Sequence, residues 1–171
     1  AKEIGAAGVE GDGLLTAASG TRVGVWTADC VPIHLVAPDA RVAAAVHSGW
    51  RGSAAGVVDE AIEQLRSRWN VSGAAIEAAL GPAIGGCCYE VGEEVREAFV
   101  SRYGDLGERG FVDRGGRLFL DLRSFLTERL RSLGVTRVEQ TGPCTACRAD
   151  ILHSFRKGGG TGRQLSYVGW L

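Results

Sequence analysis

The chain of 171 residues has few histidines, no methionine and no long apolar run. Its three histidines, His34, His47 and His153, are far too few for the clusters of a multicopper oxidase, whose copper ions are held largely by imidazoles. The chain also lacks a surplus of basic charge, since 19 Lys and Arg stand against 20 Asp and Glu, and a general nucleic-acid binder would need one. Because no segment resembles a membrane span or a signal peptide, we expect a protein that binds neither membranes nor nucleic acids.

Cysteine use indicates free thiols. The chain has five cysteines, an odd number, and Cys87 and Cys88 are adjacent, which disfavours a disulfide framework and favours a reducing, cytoplasmic compartment. Cys144 and Cys147 form one CxxC motif. No second such motif is present to complete a zinc cage and no histidine is close in sequence, so we expect neither a metal nor a redox role there.

Hydrophobic residues make up 45% of the chain and charged residues 23%, and no linker or repeat divides it, so residues 1–171 are predicted to form a single domain. Apolar runs between turn residues predict the strands Leu14–Thr16, Val23–Ala28, Pro32–Ala37, Arg41–His47, Ala74–Leu80, Arg117–Leu120, Val135–Gly142 and Gln164–Trp170. Three-to-four spacing predicts the helices Ser53–Trp69, with Ser53 as its cap, Val91–Tyr103, 121–134 and a short Cys147–Phe155. Three early strands follow one another without a helix, so we predict an α+β fold and not a Rossmann sheet.

Two motifs carry the first candidate site. In TADCVP, Asp29 and Cys30 follow a buried strand, so Cys30 is either a buried free thiol or a thiolate that acts as metal ligand or nucleophile. In HSGWRG, His47 ends a central strand and Arg51 stands where the next helix begins, a position suited to an anion. Both motifs lie at ends of neighbouring strands, so we expect Cys30 and His47 to converge.

Two glycine-rich segments complete the candidate residues. GPAIGGCCYEVG, at Gly81–Gly92, allows the backbone to approach a ligand closely. SFRKGGGTGRQ, at Ser154–Gln164, carries Arg156, Lys157 and Arg163, which could either hold a phosphate or form a solvated loop.

Together these motifs resemble those of the YfiH family, also labelled multicopper polyphenol oxidase or laccase-domain proteins and purine nucleoside phosphorylases. The motifs occur in family order from about Gly11 to Leu171: TADCVP, HSGWRG, GPAIG, CYEVG, a CT pair, and SFRK with TGRQ. The resemblance implies a layered α/β/β/α sandwich with mixed sheets. It also implies phosphorolysis of adenosine, inosine, guanosine and methylthioadenosine, together with deamination of adenosine.

The resemblance further implies a zinc ion with three protein ligands, of which Cys30 and His47 are two. The third family ligand is a histidine in a Gln-x-His-Gly motif that this sequence does not contain. We therefore expect the chain to lack an N-terminal segment of the family, and His34 is the nearest alternative ligand. Asp29, Arg51 and Arg156 are the expected substrate- or phosphate-binding residues.

Three other functions stay open. Cys30 and His47 could act as nucleophile and base of a hydrolase, for example an amidase that acts on a peptidoglycan precursor. Copper could replace zinc at the same ligands and support polyphenol oxidation. The domain could also be an inactive remnant if the family's N-terminal ligand is truly absent. The sequence does not predict the oligomeric state.

Overall fold

Apolar strands close together in sequence form the centre of a mixed sheet. The computed structural model describes residues 11–158 and 162–171. The strands are β1 (Gly13–Thr16), β2 (Arg22–Thr27), β3 (Val31–Ala37), β4 (Val42–Ser48), β5 (Glu77–Leu80), β6 (Phe111–Asp113), β7 (Leu118–Leu120), β8 (Arg137–Gln140) and β9 (Gln164–Gly169). The helices are α1 (Trp50–Ala55), α2 (Val57–Trp69), α3 (Glu93–Tyr103), α4 (Asp105–Glu108), α5 (Leu122–Ser132) and α6 (Phe155–Gly158).

The main sheet has five strands in the order β1-β4-β3-β5-β8. β3 pairs antiparallel with both β4 and β5, whereas β5 and β8 run parallel, so the sheet is mixed. β4 is buried along Val42–Val46, as expected for a central strand that is apolar on both faces.

Helices cover one face of this sheet, and a two-stranded ribbon covers the other. On the helical face, Ile62 and Leu65 of α2 and Leu126 and Leu130 of α5 are fully or almost fully buried with the apolar side chains of β3 and β4. On the opposite face, β2 and β9 pair antiparallel and pack over β4. The layers place the junction of β3, β4 and the ribbon at one corner of the domain.

The predicted long helix over Ser53–Trp69 is instead two helices. Gly56 separates α1 from α2 with a φ of 91°, a left-handed conformation that breaks the helical path. Ser53 does not cap a helix: it lies inside α1, where its hydroxyl donates to the carbonyl of Gly49 and lies 2.7 Å from Ser48 Oγ. The helix therefore begins three residues earlier than the hydroxyl pattern indicated, and Gly49 is its cap.

The predicted short helix Cys147–Phe155 is wrong, because residues 145–152 form successive turns and bends and α6 begins only at Phe155. The predicted strand over Val135–Gly142 is confirmed in its centre, as β8. Strand β6 was not predicted; it pairs with β7 in a small hairpin. No helix among the described residues combines the length and the apolar character needed to cross a membrane.

Candidate active site

The structure brings Cys30 and His47 to the same corner. Cys30 immediately precedes β3 and His47 lies near the end of β4, where the register pairs Pro32 with His47. A Cβ placed on Gly49 would lie 3.0 Å from Cys30 Sγ and 3.8 Å from His47 Cε1. The two side chains therefore face one small space, which the glycine between them leaves open.

Asp12 orients the ring of His47. The Nδ1 atom of His47 lies 3.1 Å from Asp12 Oδ1, and the main-chain N–H of His47 donates to the Asp12 carbonyl at 2.6 Å. A carboxylate at Nδ1 favours the tautomer with its proton there, which leaves the Nε2 lone pair for an ion or a proton. Asp12 was not predicted as a site residue, because a lone carboxylate between two glycines has no pattern that points to His47.

Asp29 joins four segments of the chain. Its carboxylate accepts a hydrogen bond from Thr145 Oγ1 at 2.6 Å and another from the main-chain N–H of Arg156 at 2.7 Å. Its carbonyl accepts a third bond from the N–H of Ile84 at 2.9 Å. Asp29 adopts a φ of 84°, a left-handed conformation that Asp tolerates better than most residues. Both carboxylate oxygens thus accept hydrogen bonds within the protein, and Asp29 ties together the segments that form the walls of the site.

These segments surround a pocket of about 290 Å³. Its polar lining comes from Asp29, Cys30, His47, Arg156 and Arg163, and its apolar lining includes Trp26, Ile84, Tyr89, Leu122 and Phe155. Trp26 and Phe155 are 62% and 60% exposed, an unusual state for large rings in a folded domain. The pocket therefore combines flat apolar surfaces, two guanidinium groups and the Cys30–His47 pair.

Tyr89 and Arg156 form one wall. The Arg156 guanidinium lies 5.1 Å from the centre of the Tyr89 ring, and Arg156 Nη1 donates to the carbonyl of Glu90 at 2.7 Å. Burial raises the pKa of Tyr89 to about 12, with Cys30 adding to the rise and Arg156 opposing it. Tyr89 therefore presents a protonated hydroxyl at neutral pH.

Burial also raises the pKa of the Cys30 thiol above its ordinary value. The carboxylate of Asp29 acts in the same direction, and the guanidinium of Arg163 acts against it. Without a bound cation, Cys30 is accordingly a protonated thiol near neutral pH.

Two other predicted residues lie apart from this pair. Arg51 is exposed, and its guanidinium stacks 4.3 Å from the centre of the Trp50 ring, outside the pocket lining. His34 lies mid-strand in β3, with its ring near the main chain of Ser166 on β9. His34 therefore does not join Cys30 and His47 as a third metal ligand.

The Cys30–His47 pair fits part of a catalytic zinc site. Sulfur and imidazole nitrogen are preferred zinc ligands, but catalytic zinc takes three protein ligands and keeps one open position. Within residues 11–158 and 162–171, no histidine, cysteine or carboxylate completes a set of three with this pair.

A second group of chemically active side chains lies outside the pocket. The Sγ atoms of Cys87, Cys88, Cys144 and Cys147 all lie within 4.8 Å of one another, so this group could hold a metal ion. All five cysteines are free. The sequence-based expectation that the CxxC motif has no second pair is therefore wrong, because the fold supplies the adjacent cysteines of the other glycine-rich segment.

The chain thus has a layered fold with mixed sheets, and its cysteine–histidine pocket lies where the main sheet meets the β2–β9 ribbon. The chain matches the sequence model of the family described as multi-copper polyphenol oxidoreductase laccase over residues 2–171, and it belongs to that family.

Curated relatives of the chain carry the name purine nucleoside phosphorylase. One from Clostridium acetobutylicum is 34% identical over 163 residues, which cover 94% of this chain and 67% of that protein. Another, YfiH from Escherichia coli, is 35% identical over 152 residues, 89% of this chain and 60% of that protein. The chain thus spans roughly three-fifths to two-thirds of the length of these relatives.

Solved structures share the fold. YfiH from Bacillus licheniformis superposes with a TM-score of 0.88 at 29% identity and covers 94% of this chain and 61% of that one. YlmD from Geobacillus stearothermophilus gives a TM-score of 0.83 at 32% identity and covers 93% and 60%. The predicted membership of the YfiH family and the predicted layered fold with mixed sheets are confirmed, and the relatives support an enzyme.

Proposed function

We propose that this chain carries the site of a purine nucleoside phosphorylase. The observation that supports the proposal best is the composition of one pocket, where the Cys30–His47 pair faces two arginines and two exposed aromatic rings. In phosphorolysis, a phosphate oxygen bonds to C1′ of the ribose while the N-glycosidic bond breaks. The electron pair of that bond leaves with the purine, which then takes up a proton.

The pocket offers a group for each part of this reaction. Trp26 and Phe155 supply ring faces against which a purine stacks. Arg156 and Arg163 supply positive charge for phosphate, and Arg51, at the nearby start of α1, adds to it. In this proposal Asp29 acts on the substrate indirectly, because it fixes the main chain of Arg156.

His47 is the proposed proton donor and acceptor for the purine. Asp12 holds Nδ1, and His47 lines the pocket, so the Nε2 lone pair can accept or return a proton there. Alternatively, Cys30 Sγ and His47 Nε2 would hold the zinc ion that the family resemblance implies. The Nε2 lone pair would then be occupied, so the ion would supply a Lewis acid in place of proton exchange by His47. Copper is the alternative ion for these ligands, although three histidines do not build the clusters of a laccase.

We propose adenosine, inosine, guanosine and methylthioadenosine as substrates, since each offers the same purine N-glycosidic bond to the pocket. Deamination of adenosine is a second proposed reaction: water adds at C6 and ammonia leaves, which yields inosine. Free thiols favour a cytoplasmic setting for these reactions.

The experiment is to incubate each nucleoside with and without phosphate and to measure the released base and the sugar 1-phosphate, which is ribose 1-phosphate or, from methylthioadenosine, 5-methylthioribose 1-phosphate. We expect phosphate-dependent release, reduced about 100-fold or more in His47→Ala and Cys30→Ser. His153→Ala is the matched control, because His153 is exposed and does not line the pocket. Base release that does not need phosphate, or unchanged release by His47→Ala, would overturn the proposal.

Arg51 is tested separately in the same assay. Arg51→Ala should reduce phosphate-dependent cleavage more than deamination, because deamination uses water in place of phosphate. An equal loss of both activities would show that Arg51 does not bind phosphate.

One observation also favours a cysteine hydrolase. Asp12 orients the ring of His47, which could act as the base for the thiol of Cys30. A cysteine nucleophile activated by histidine uses the same three kinds of group. Hydrolysis of an amide, such as that of a peptidoglycan precursor, would proceed without phosphate and through an acyl-cysteine. Trapping of such an adduct on Cys30 would favour this second function over the first.

A further inference from the structure

The four clustered cysteines come in two pairs from distant parts of the chain. Cys87 and Cys88 follow two glycines after β5, and Cys144 and Cys147 lie in the turns that follow β8. The Sγ atom of Cys147 lies 3.6 Å from that of Cys87 and 3.5 Å from that of Cys88. The fifth cysteine, Cys30, lines the pocket and is not part of this group.

The backbone between the pairs is fixed by pairing that extends the parallel strands β5 and β8. Ala83 and Cys144 form an isolated parallel bridge, and the N–H of Thr145 donates to the carbonyl of Ala83 at 3.0 Å. The juxtaposition of the four thiols therefore follows from the sheet topology.

Gly85 leaves room for the sulfur atoms and bonds one of them. Its N–H donates to Cys144 Sγ at 3.2 Å, the kind of bond that stabilises sulfur carrying negative charge. A Cβ on Gly85 would lie 3.3 Å from Cys87 Sγ and 3.6 Å from Cys144 Sγ. Any side chain at this position would therefore crowd the sulfur atoms.

The spacing of the sulfurs matches a single tetrahedral ion. Zinc–sulfur bonds of about 2.3 Å in a tetrahedron place the four sulfurs about 3.8 Å apart. The separations of 3.6 and 3.5 Å between Cys147 Sγ and the sulfurs of Cys87 and Cys88 are close to that value, and all four sulfurs lie within 4.8 Å of one another. A disulfide would need a sulfur–sulfur distance of about 2.05 Å and would leave two cysteines unused. A cluster of several irons would spread the ligating sulfurs farther apart than one ion does.

We propose that Cys87, Cys88, Cys144 and Cys147 bind one Zn²⁺ ion as four thiolates, in a closed structural site separate from the Cys30–His47 pair. Binding of the ion releases the protons of the four thiols to solvent, and no redox partner is needed.

The ion would hold together two segments of the chain that form walls of the pocket. Tyr89 follows Cys88 directly, and Thr145, which donates to Asp29, lies between Cys144 and Cys147. A zinc ion across the two segments would hold both residues in place without touching a substrate. This inference does not rest on the proposed function.

The first test measures zinc directly. The chain, prepared with Zn²⁺ and then freed of loosely bound metal, should retain zinc at the four-cysteine cluster. Cys30→Ser is the matched control and should keep one ion per chain, because Cys30 is not part of the cluster. Cys147→Ser and Cys87→Ser should bind zinc at least tenfold more weakly. Equal zinc affinity in Cys147→Ser and Cys30→Ser would overturn the proposal.

A second test needs only the unaltered chain, in case a cysteine variant does not fold. Alkylation with and without Zn²⁺, read residue by residue by mass spectrometry, should show protection of the four clustered cysteines by zinc. Co²⁺ in place of zinc should give the intense charge-transfer bands of four thiolate ligands. The assignment would be contradicted if the cysteines were alkylated equally with and without Zn²⁺, or if the four sulfurs bound iron in place of zinc. It would also be contradicted if the denatured metal-free chain had only three free thiols, because that count would indicate a disulfide.

Discussion

The carboxylate of Asp29 accepts a hydrogen bond from the hydroxyl of Thr145, 116 positions later in the chain, at 2.6 Å. Both residues are buried, so the bond joins the segment just before β3 to the CxxC segment in a place shielded from bulk solvent. It is one of the contacts that set the distance between the two sides of the pocket.

Thr145→Val should lower the free energy of unfolding by about 1–3 kcal/mol, because it leaves a buried carboxylate oxygen without its donor at unchanged side-chain volume. Denaturant unfolding measures the change. Thr136→Val is the matched control, since Thr136 is exposed, and it should alter stability by less than about 0.5 kcal/mol. A Thr145→Val variant as stable as the control would show that the bond contributes nothing.

Gly49→Ala should reduce nucleoside cleavage about tenfold to 100-fold, because the new methyl group enters the space between Cys30 and His47. Its φ of −83° suits alanine, so the fold should persist with a loss of about 1 kcal/mol from the weaker helix cap. Gly52→Ala is the control, because a Cβ there meets its neighbours only at 3.7 Å or more. Full activity in Gly49→Ala would place the reaction elsewhere.

Arg156→Ala should raise the KM for phosphate about tenfold or more and leave the fold intact, since its main-chain bond to Asp29 does not depend on the side chain. Lys157→Ala, the neighbouring exposed cation, serves as control and should change the KM little. Arg156→Lys should restore activity only in part, because an ammonium does not reproduce the guanidinium fork. Equal effects of the two alanine substitutions would point to a general charge effect.

Stability should fall in mild acid because of His34. Burial lowers the pKa of His34 below 6.5, so the unfolded chain takes up its proton before the folded chain does. The folded state is therefore favoured fully above pH 6.5 and loses this contribution as the pH falls through the lower folded pKa. His34→Gln should flatten this part of the pH–stability curve, whereas His153→Gln, at an exposed site, should not.

Much of the fold could be predicted from sequence because its signals are local. The strands β3 and β4 are predicted correctly by their apolar runs, and the helices α2 and α5 by the spacing of their apolar residues. Both patterns arise because these residues are buried. The break at Gly56 was missed because the apolar spacing continues across it, and only the φ of 91° shows the change of direction. The convergence of Cys30 and His47 could be foreseen because β3 and β4 are consecutive antiparallel neighbours.

The rest of the site depends on contacts that have no local signal. Asp12 reaches His47 because β1 pairs with β4, and a short polar segment before β1 does not indicate that pairing. The cysteine cluster was misjudged because its two pairs meet only through the parallel pairing of β5 and β8. Sequence separation hides such pairs until the strand order is known.

The pairing of β2 with β9 has a consequence for the time at which the site appears during synthesis. A nascent chain that has left the ribosome through β8 already contains the five-stranded sheet and its helical core. Phe155, Arg156 and Arg163 follow later, and Trp26 finds its partner Leu165 only when β9 has been made. Pairing over so long a stretch of chain is also slow, since it closes a large loop. We therefore expect the pocket to be among the last features that the growing chain acquires, after its scaffold has become stable.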